Sequence, residues 1–451
     1  MSQKYTSQFD KMTREPVESL ILKLALPTTL SMMVTNIYNM ADTYFVGRLG
    51  TSASGATGVV FGLMAILQAV GFMLGHGSGS IIGRALGAKD SKRANTFGST
   101  SFFISLSVGL LFSLFGILFV NPLVKLLGST ETILPYARTY AICILAAAPA
   151  MVSSCVMNNI LRYEGRAVFA MVGLVSGGLL NIGLDALFII KFGMGIEGAG
   201  IATTISQYVS AFILLYMYIS KKTITQFRIK YITRNFSDVL LILKTGLPSL
   251  IRQGLGSVSV MVLNHMAGPF GDAAIAAMSI VARVANFVFS AGLGIGQGYQ
   301  PVAGFNYGAK KYSRVKRGFF FTWYFGTILL SIVAVVAFIF ASPIIAFFRD
   351  DMEVIRIGIP AMRYQCASLL FMPFTLTNNM MFQSTGQNKE ASLLSSLRSG
   401  LCFIPVILIL TPLFGLWGIQ VSQAVADVIG SVLCIPFTVR FFRNLPPDAV
   451  D

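Results

Sequence analysis

The chain has 451 residues, of which 55% are hydrophobic and only 12% charged, with a mean hydropathy of +0.72. Soluble domains carry roughly 25% charged residues, so this composition excludes a soluble globular or disordered protein. The net charge of +16 would suit a nucleic-acid binder, but the basic residues are placed by membrane side, as described below, and that reading is excluded too.

In chain order, a polar, mixed-charge N-terminal segment precedes twelve apolar runs. They lie near residues 19–47, 54–80, 95–120, 134–161, 168–190, 198–219, 239–267, 273–300, 316–341, 354–383, 391–411 and 417–440. Each reaches the ~20 residues that a helix needs to cross a bilayer core. Strands of a membrane barrel would instead alternate over about ten residues. The fold class predicted is an all-α integral membrane protein with twelve transmembrane helices in two parallel six-helix repeats. The first run is too long for a signal h-region and contains Asp42, so no cleavable signal is expected.

The first span carries Pro27 near its start, then Thr28, Ser31, Thr35, Tyr38, Asn39 and Asp42 at spacings of three, four and seven. That spacing puts them on one helix face. The second span leads through Gly75, Gly77 and Gly79 to Gly87-Ala88-Lys89. No strand precedes this run and no GxxxxGK[ST] spacing occurs, so it is not a phosphate loop; glycines at i, i+2 and i+4 permit close helix approach. The fourth span offers Ser154 and Asn158, the fifth Asn181 and Asp185 at i and i+4, and the sixth Thr203, Gln207 and Ser210.

A polar, basic stretch at 220–237 follows, and then the pattern begins again. Ala25-Leu26-Pro27 returns as Gly246-Leu247-Pro248, Gly47 as Gly268, Gly87-Ala88-Lys89 as Gly308-Ala309-Lys310, and Asn158 with Gly165 as Asn379 with Gly386. Each pair is 221 residues apart. The organisation expected is an N-terminal lobe at 1–219, a cytoplasmic linker at 220–237 and a C-terminal lobe at 238–451. Six spans per half is an even number, so the repeats are parallel, an arrangement typical of secondary transporters.

Twenty-four of the 34 Lys and Arg residues fall on the side that holds both termini, six on the other and four within spans. This asymmetry places both termini in the cytoplasm, for a multi-pass protein of the plasma (inner) membrane. Contact with membrane lipid, and no nucleic acid, follows. The sequon at Asn235 would then never meet the glycosylation machinery. Cys143, Cys155, Cys366, Cys402 and Cys434 all lie in apolar spans without metal-ligand spacing and read as small packing residues.

Polar groups are costly in a bilayer, so function is sought where they gather. Asp42 and Asp185 are the acidic residues deep within the first six spans, with no embedded Lys or Arg beside them. Two carboxylates among amides and hydroxyls can take up protons or a sodium ion, since a hard cation prefers oxygen ligands. The candidate coupling site is therefore Asp42, Asp185, Asn181, Thr203 and Asn158, with Na+ as a candidate ion at the first four. Thr35, Tyr38, Asn39, Gln207, Gln253, Asn379 and Gln297 are candidates for the substrate cavity. The second half lacks the carboxylate pair, having Leu263 and Val406 at the equivalent positions. It carries Arg252, Arg283, Arg398 and Asp427 instead, and either Arg398 or Arg252 is expected to pair with Asp427 as a structural brace.

These residues resemble the multidrug and toxic compound extrusion transporters, over essentially all twelve spans. The likeness rests on Leu26-Pro27, Asp42 and Gly47, on Arg84-x-x-Gly87-Ala88-Lys89, on Arg162-x-x-Gly165, and on Leu180-Asn181 with Asp185. Gln300-Pro301 and the Gly415-Leu416-Trp417-Gly418 turn complete it. The resemblance implies two six-helix lobes around a central cavity, and export of amphipathic, often cationic drugs in exchange for H+ or Na+. It also implies a first-lobe cation site at Asp42, Asn181, Asp185 and Thr203 with Asn158 nearby. Some relatives carry Glu where this chain has Gln297, which shifts coupling to the first lobe. A sister group, the flippases of lipid-linked oligosaccharides, is the alternative. No enzyme is expected, no cofactor beyond the coupling ion, and the duplication makes a monomer sufficient.

Overall fold

The computed structural model describes residues 3–449, and none of these forms a strand. The helices are α1 (Gln3–Arg14), α2 (Val17–Gly47), α3 (Thr51–Gly87), α4 (Ser91–Leu118), α5 (Val120–Leu126), α6 (Leu134–Tyr163), α7 (Ala167–Asp185) and α8 (Gly195–Ile219). They continue as α9 (Phe236–Ala267), α10 (Asp272–Gly308), α11 (Tyr312–Ile339), α12 (Ala341–Phe348), α13 (Met352–Ser368) and α14 (Met372–Thr385). The last three are α15 (Asn388–Ser396), α16 (Phe403–Phe414) and α17 (Leu416–Arg443).

Among the described residues, ten helical stretches are long and apolar enough to cross a bilayer. The other two of the twelve spans have physical reasons to read differently. The seventh is α9, a continuous 32-residue helix made polar by Asp238, Lys244, Arg252, Gln253 and Asn264. The tenth is broken at Leu369–Phe371, just before Pro373, into α13 and α14. Proline cannot supply the amide that a continuing helix needs.

The duplication reaches the backbone torsions. Gly50 and Gly271, at φ +122° and +91°, open α3 and α10; Gly165 and Gly386, at +77° and +86°, follow α6 and α14. Lys89 and Lys310, at φ 61° and 56°, occupy the left-handed position after α3 and α10, where glycine is usual. The helix that follows is capped differently in each half. Asp90 accepts the Arg93 amide at 2.9 Å. Its equivalent is Lys311, and the cap on α11 comes instead from Asp448, which accepts the Ser313 amide at 2.8 Å. The C-terminal tail thus supplies an acceptor that the local sequence lacks.

The chain forms two compact units, and their limits differ from the expected 219 and 238. One comprises residues 1–12 and 30–246; the other comprises 13–29 and 247–451. Two of the three divisions fall beside Pro27 and Pro248, inside α2 and α9, and the third falls inside α1. Within the first unit, the start of α9 lies against α3: a Cβ on Gly77 would meet Ile242 O at 2.2 Å, and one on Gly246 would meet Met73 O at 1.8 Å. Within the second unit the start of α2 lies against α10, where a Cβ on Gly298 would meet Ala25 Cα at 2.5 Å. The paired glycine runs therefore do permit close backbone approach, at equivalent places in both units. Water-driven burial is absent in lipid, so such contact is a main source of helix association.

Candidate functional site

The first unit gathers the polar stripes of α2, α7 and α8 near the N-terminal end of α6. Local chemistry permits it. Gly178 on α7 has the Tyr38 ring and Val34 within 3.2 Å of a notional Cβ, and Gly200 on α8 has Cys143 at 2.7 Å, so any side chain there would hold the helices apart. Asp185 is the last residue of α7, and a π-helical turn, Ala186–Lys191, follows it. Such turns are rare and recur at functional sites.

Asp42 accepts a hydrogen bond from the Tyr140 hydroxyl at 3.0 Å. The same hydroxyl also interacts with Thr203, whose Oγ1 accepts from Asn181 Nδ2 at 3.3 Å. Asp185 is fully buried and close enough to Asp42 for their charges to interact. Among the described residues, no donor reaches either oxygen of Asp185, the Oδ1 of Asp42, or the Oδ1 of Asn181. Four buried acceptors thus converge without a protein partner. An unpaired ionised carboxylate in such surroundings costs several kcal/mol, a cost that uptake of a proton or a monovalent cation would relieve. No group of three or more His, Cys, Asp or Glu that could hold a metal ion occurs among the described residues. The all-oxygen donor set suits a hard, weakly held ion.

Asn158 does not join this cluster. Its amide donates to Ala170 O at 2.8 Å, and it lies 18 residues beyond Tyr140 along α6, about 27 Å at 1.5 Å per residue. The repeat explains its presence: Asn379 donates to Ala391 O at 2.9 Å, the same bond 221 residues on. Both asparagines tie adjacent helices together. The cavity candidates divide as well. Tyr38 is buried and interacts with Gln207. Thr35, half-buried, donates back to Ser31 O at 2.9 Å, and Asn39 is half-buried. Gln253 is exposed, whereas Gln297 and Asn379 are buried inside the second unit.

In that unit Arg398 takes Asp427, with Nε to Oδ1 at 3.1 Å, and Gln423 adds a bond at 2.9 Å. Arg252 instead donates to Asn379 Oδ1 at 2.8 Å. Tyr140 was not singled out from sequence, since a tyrosine near a span end usually marks the interface. Glu164 was missed too. It is fully buried between α6 and α7, and accepts the Ile224 and Thr225 amides at 2.9 and 2.8 Å, clasping the start of the linker. Burial raises its carboxyl above the usual range, partly offset by those bonds and by Arg166.

The MatE family model matches this chain twice, at residues 27–187 and 248–409, starting 221 residues apart as the sequence repeat does. The chain belongs to the MatE family. Two curated relatives are named multidrug export protein MepA. That of Staphylococcus saprophyticus subsp. saprophyticus is 26% identical over 410 residues, covering 91% of this chain and 90% of the relative. That of Staphylococcus aureus (strain N315) is 26% identical over 415 residues, covering 92% of each. A solved structure described as the outward-facing conformation of a multidrug resistance MATE family transporter is similar at a TM-score of 0.91. It is 25% identical and covers 96% of this chain and 98% of the other. This MatE protein is thus a multi-pass membrane transporter with the twelve-span, two-unit architecture of its family.

Proposed function

We propose that this MatE protein is a secondary multidrug exporter that moves amphipathic, neutral or cationic molecules outward by alternating access, driven by inward movement of H+ or Na+. One observation supports the coupling assignment most: the buried, unpartnered acceptors of Asp42, Asp185 and Asn181 beside Thr203. Exchange requires a site whose occupancy shifts the balance between inward- and outward-open states, and only differential affinity can do that. A carboxylate pair that is uncomfortable when empty and settled when occupied provides such a difference. Asp42, Asp185, Asn181 and Thr203 are the coupling residues, and Tyr140 positions Asp42.

The protein is a transporter of the cell membrane rather than an enzyme. The Lys and Arg asymmetry supports cytoplasmic termini, and the internal duplication supports a monomer as the working unit. The flippase alternative is not favoured, because the relatives are multidrug export proteins and the second unit's Arg252 and Arg398 are engaged internally. The test is drug efflux from proteoliposomes under separately imposed proton and sodium gradients. Asp185→Asn keeps the shape and removes the charge, so it should abolish gradient-driven efflux while drug binding persists. Wild-type efflux by Asp185→Asn would overturn the coupling assignment.

A further inference from the structure

The outer half of α10 presents a polar stripe that the coupling site does not use. Ser279, Arg283, Asn286 and Ser290 follow one another at spacings of four, three and four, which places them on one helix face. Arg283 and Asn286 are exposed, and Ser279 and Ser290 half-exposed. Arg283 stands 11 residues past the first residue of α10, about 16 Å along the axis. Among the described residues it makes no hydrogen bond or ion pair.

Two comparisons within the molecule say what this face meets. The first is the neighbouring span α11, whose outer half exposes Ile328, Ile332, Val335, Val336 and Ile339, a surface fit for lipid tails. On α10 the one large apolar side chain so exposed is Phe287. An exposed arginine at that depth is tolerated where it faces water, not hydrocarbon. The second is the other repeat. At the 221-residue offset the stripe corresponds to Gly58, Gly62, Ala65 and Ala69, a row of small residues without a polar atom. One copy of the repeated helix presents a smooth face and the other a charged one.

We infer that this stripe is an anion-recognising wall of the substrate path, with Arg283 binding the carboxylate of an amphipathic substrate and Asn286 flanking it. Guanidinium offers carboxylate a planar, two-pronged donor set. A single such group suits a monoanion. The inference rests on the multidrug reading and extends it at one residue: Arg283 would let the path favour acid-bearing and zwitterionic amphiphiles over their neutral or cationic counterparts.

The experiment compares norfloxacin, a zwitterion with a free carboxylate, with its methyl ester in proteoliposomes of phosphatidylethanolamine and phosphatidylcholine. Arg283→Gln should raise the KM for the acid about tenfold relative to the ester, equivalent to about 1.4 kcal/mol, and Arg283→Lys should recover most of that ratio. Should Arg283→Gln not accumulate, Asn286→Asp carries the same test. It sets a carboxylate one turn from the guanidinium, occupies it, and should impose the same loss on the acid. An unchanged acid-to-ester ratio in these variants overturns the inference. So does an effect of Arg283→Gln seen only when phosphatidylglycerol is added, which would assign the arginine to a lipid phosphate. If wild-type protein exports neither compound, it is the multidrug reading that fails; if it exports both with an unaltered ratio, only the wall is lost.

Discussion

Gly77→Ala is the most direct probe of how the units hold the first turns of α9 and α2. A methyl group at Gly77 would stand 2.2 Å from Ile242 O, 3.0 Å from Gly246 N and 3.2 Å from Gly246 Cα. Ordinary contact begins at 3.4 Å, so the start of α9 must retreat by roughly 1 Å. The obstructing atoms are backbone and cannot rotate away. A gap of that size forfeits a quarter to a half of the dispersion well for each contact it opens, and overpacking of this kind costs about 1–3 kcal/mol. Replacing glycine by alanine in a helix returns about 0.5–1 kcal/mol. The net expectation is a loss of about 1–2 kcal/mol. Gly58 supplies the control on the same helix, because a Cβ there meets no atom within 4 Å. Gly58→Ala should be neutral or slightly stabilising. The assay is the fraction of detergent-solubilised protein that stays monodisperse after heating, where the two variants should differ by on the order of 5 °C. Gly298→Ala, facing Ala25 Cα at 2.5 Å, should behave as Gly77→Ala does. Equal melting of Gly77→Ala and Gly58→Ala would refute the claim that glycine-dependent approach fastens these segments.

Tyr140→Phe removes the one donor, among the described residues, on Asp42 Oδ2; a bond to a charged group contributes about 1.5–3 kcal/mol, so efflux at a fixed gradient should drop at least about tenfold, and unchanged transport would remove Tyr140 from the site. Glu164 has its carboxyl raised above the usual 4.5, chiefly by burial. The folded chain therefore holds that proton more tightly than the unfolded one, so Glu164's share of stability is complete below about pH 4.5 and lost as pH rises through its folded value. Melting of wild type between pH 4.5 and 7 should decline with pH more steeply than that of Glu164→Gln, and identical slopes would dismiss the clasp as the cause. Asn158→Ala and Asn379→Ala should each lower stability by about 1 kcal/mol while leaving the choice of coupling ion alone. Loss of coupling by Asn158→Ala at wild-type stability would return Asn158 to the cation site.

Much of the architecture was legible because a bilayer imposes one-dimensional rules. Span length and the 221-residue offset are properties of the chain read linearly, and no folding is needed to see them. The carboxylates Asp42 and Asp185 were legible for the same reason: an acidic residue in an apolar run has few structural excuses. Where the reading went astray, the deciding quantity was a distance between helices. Asn158 sits in a polar stripe like its neighbours, yet its amide is committed to Ala170 O, and helix rise carries it far from Asp42. Asn379 and Gln297 look like cavity residues by type and are buried by packing. Tyr140 and Glu164 carried no signal in the sequence, since tyrosines near span ends and acids at loop starts are common. The division of α2 and α9 between the two compact units is likewise a matter of tertiary contact. Composition and period fix which segments cross the membrane and which faces are polar, because hydration is a local property of each residue. Which polar faces meet, and which are merely tied to a neighbour, depends on backbone approach at Gly77, Gly178 and Gly298, and that only the folded chain decides.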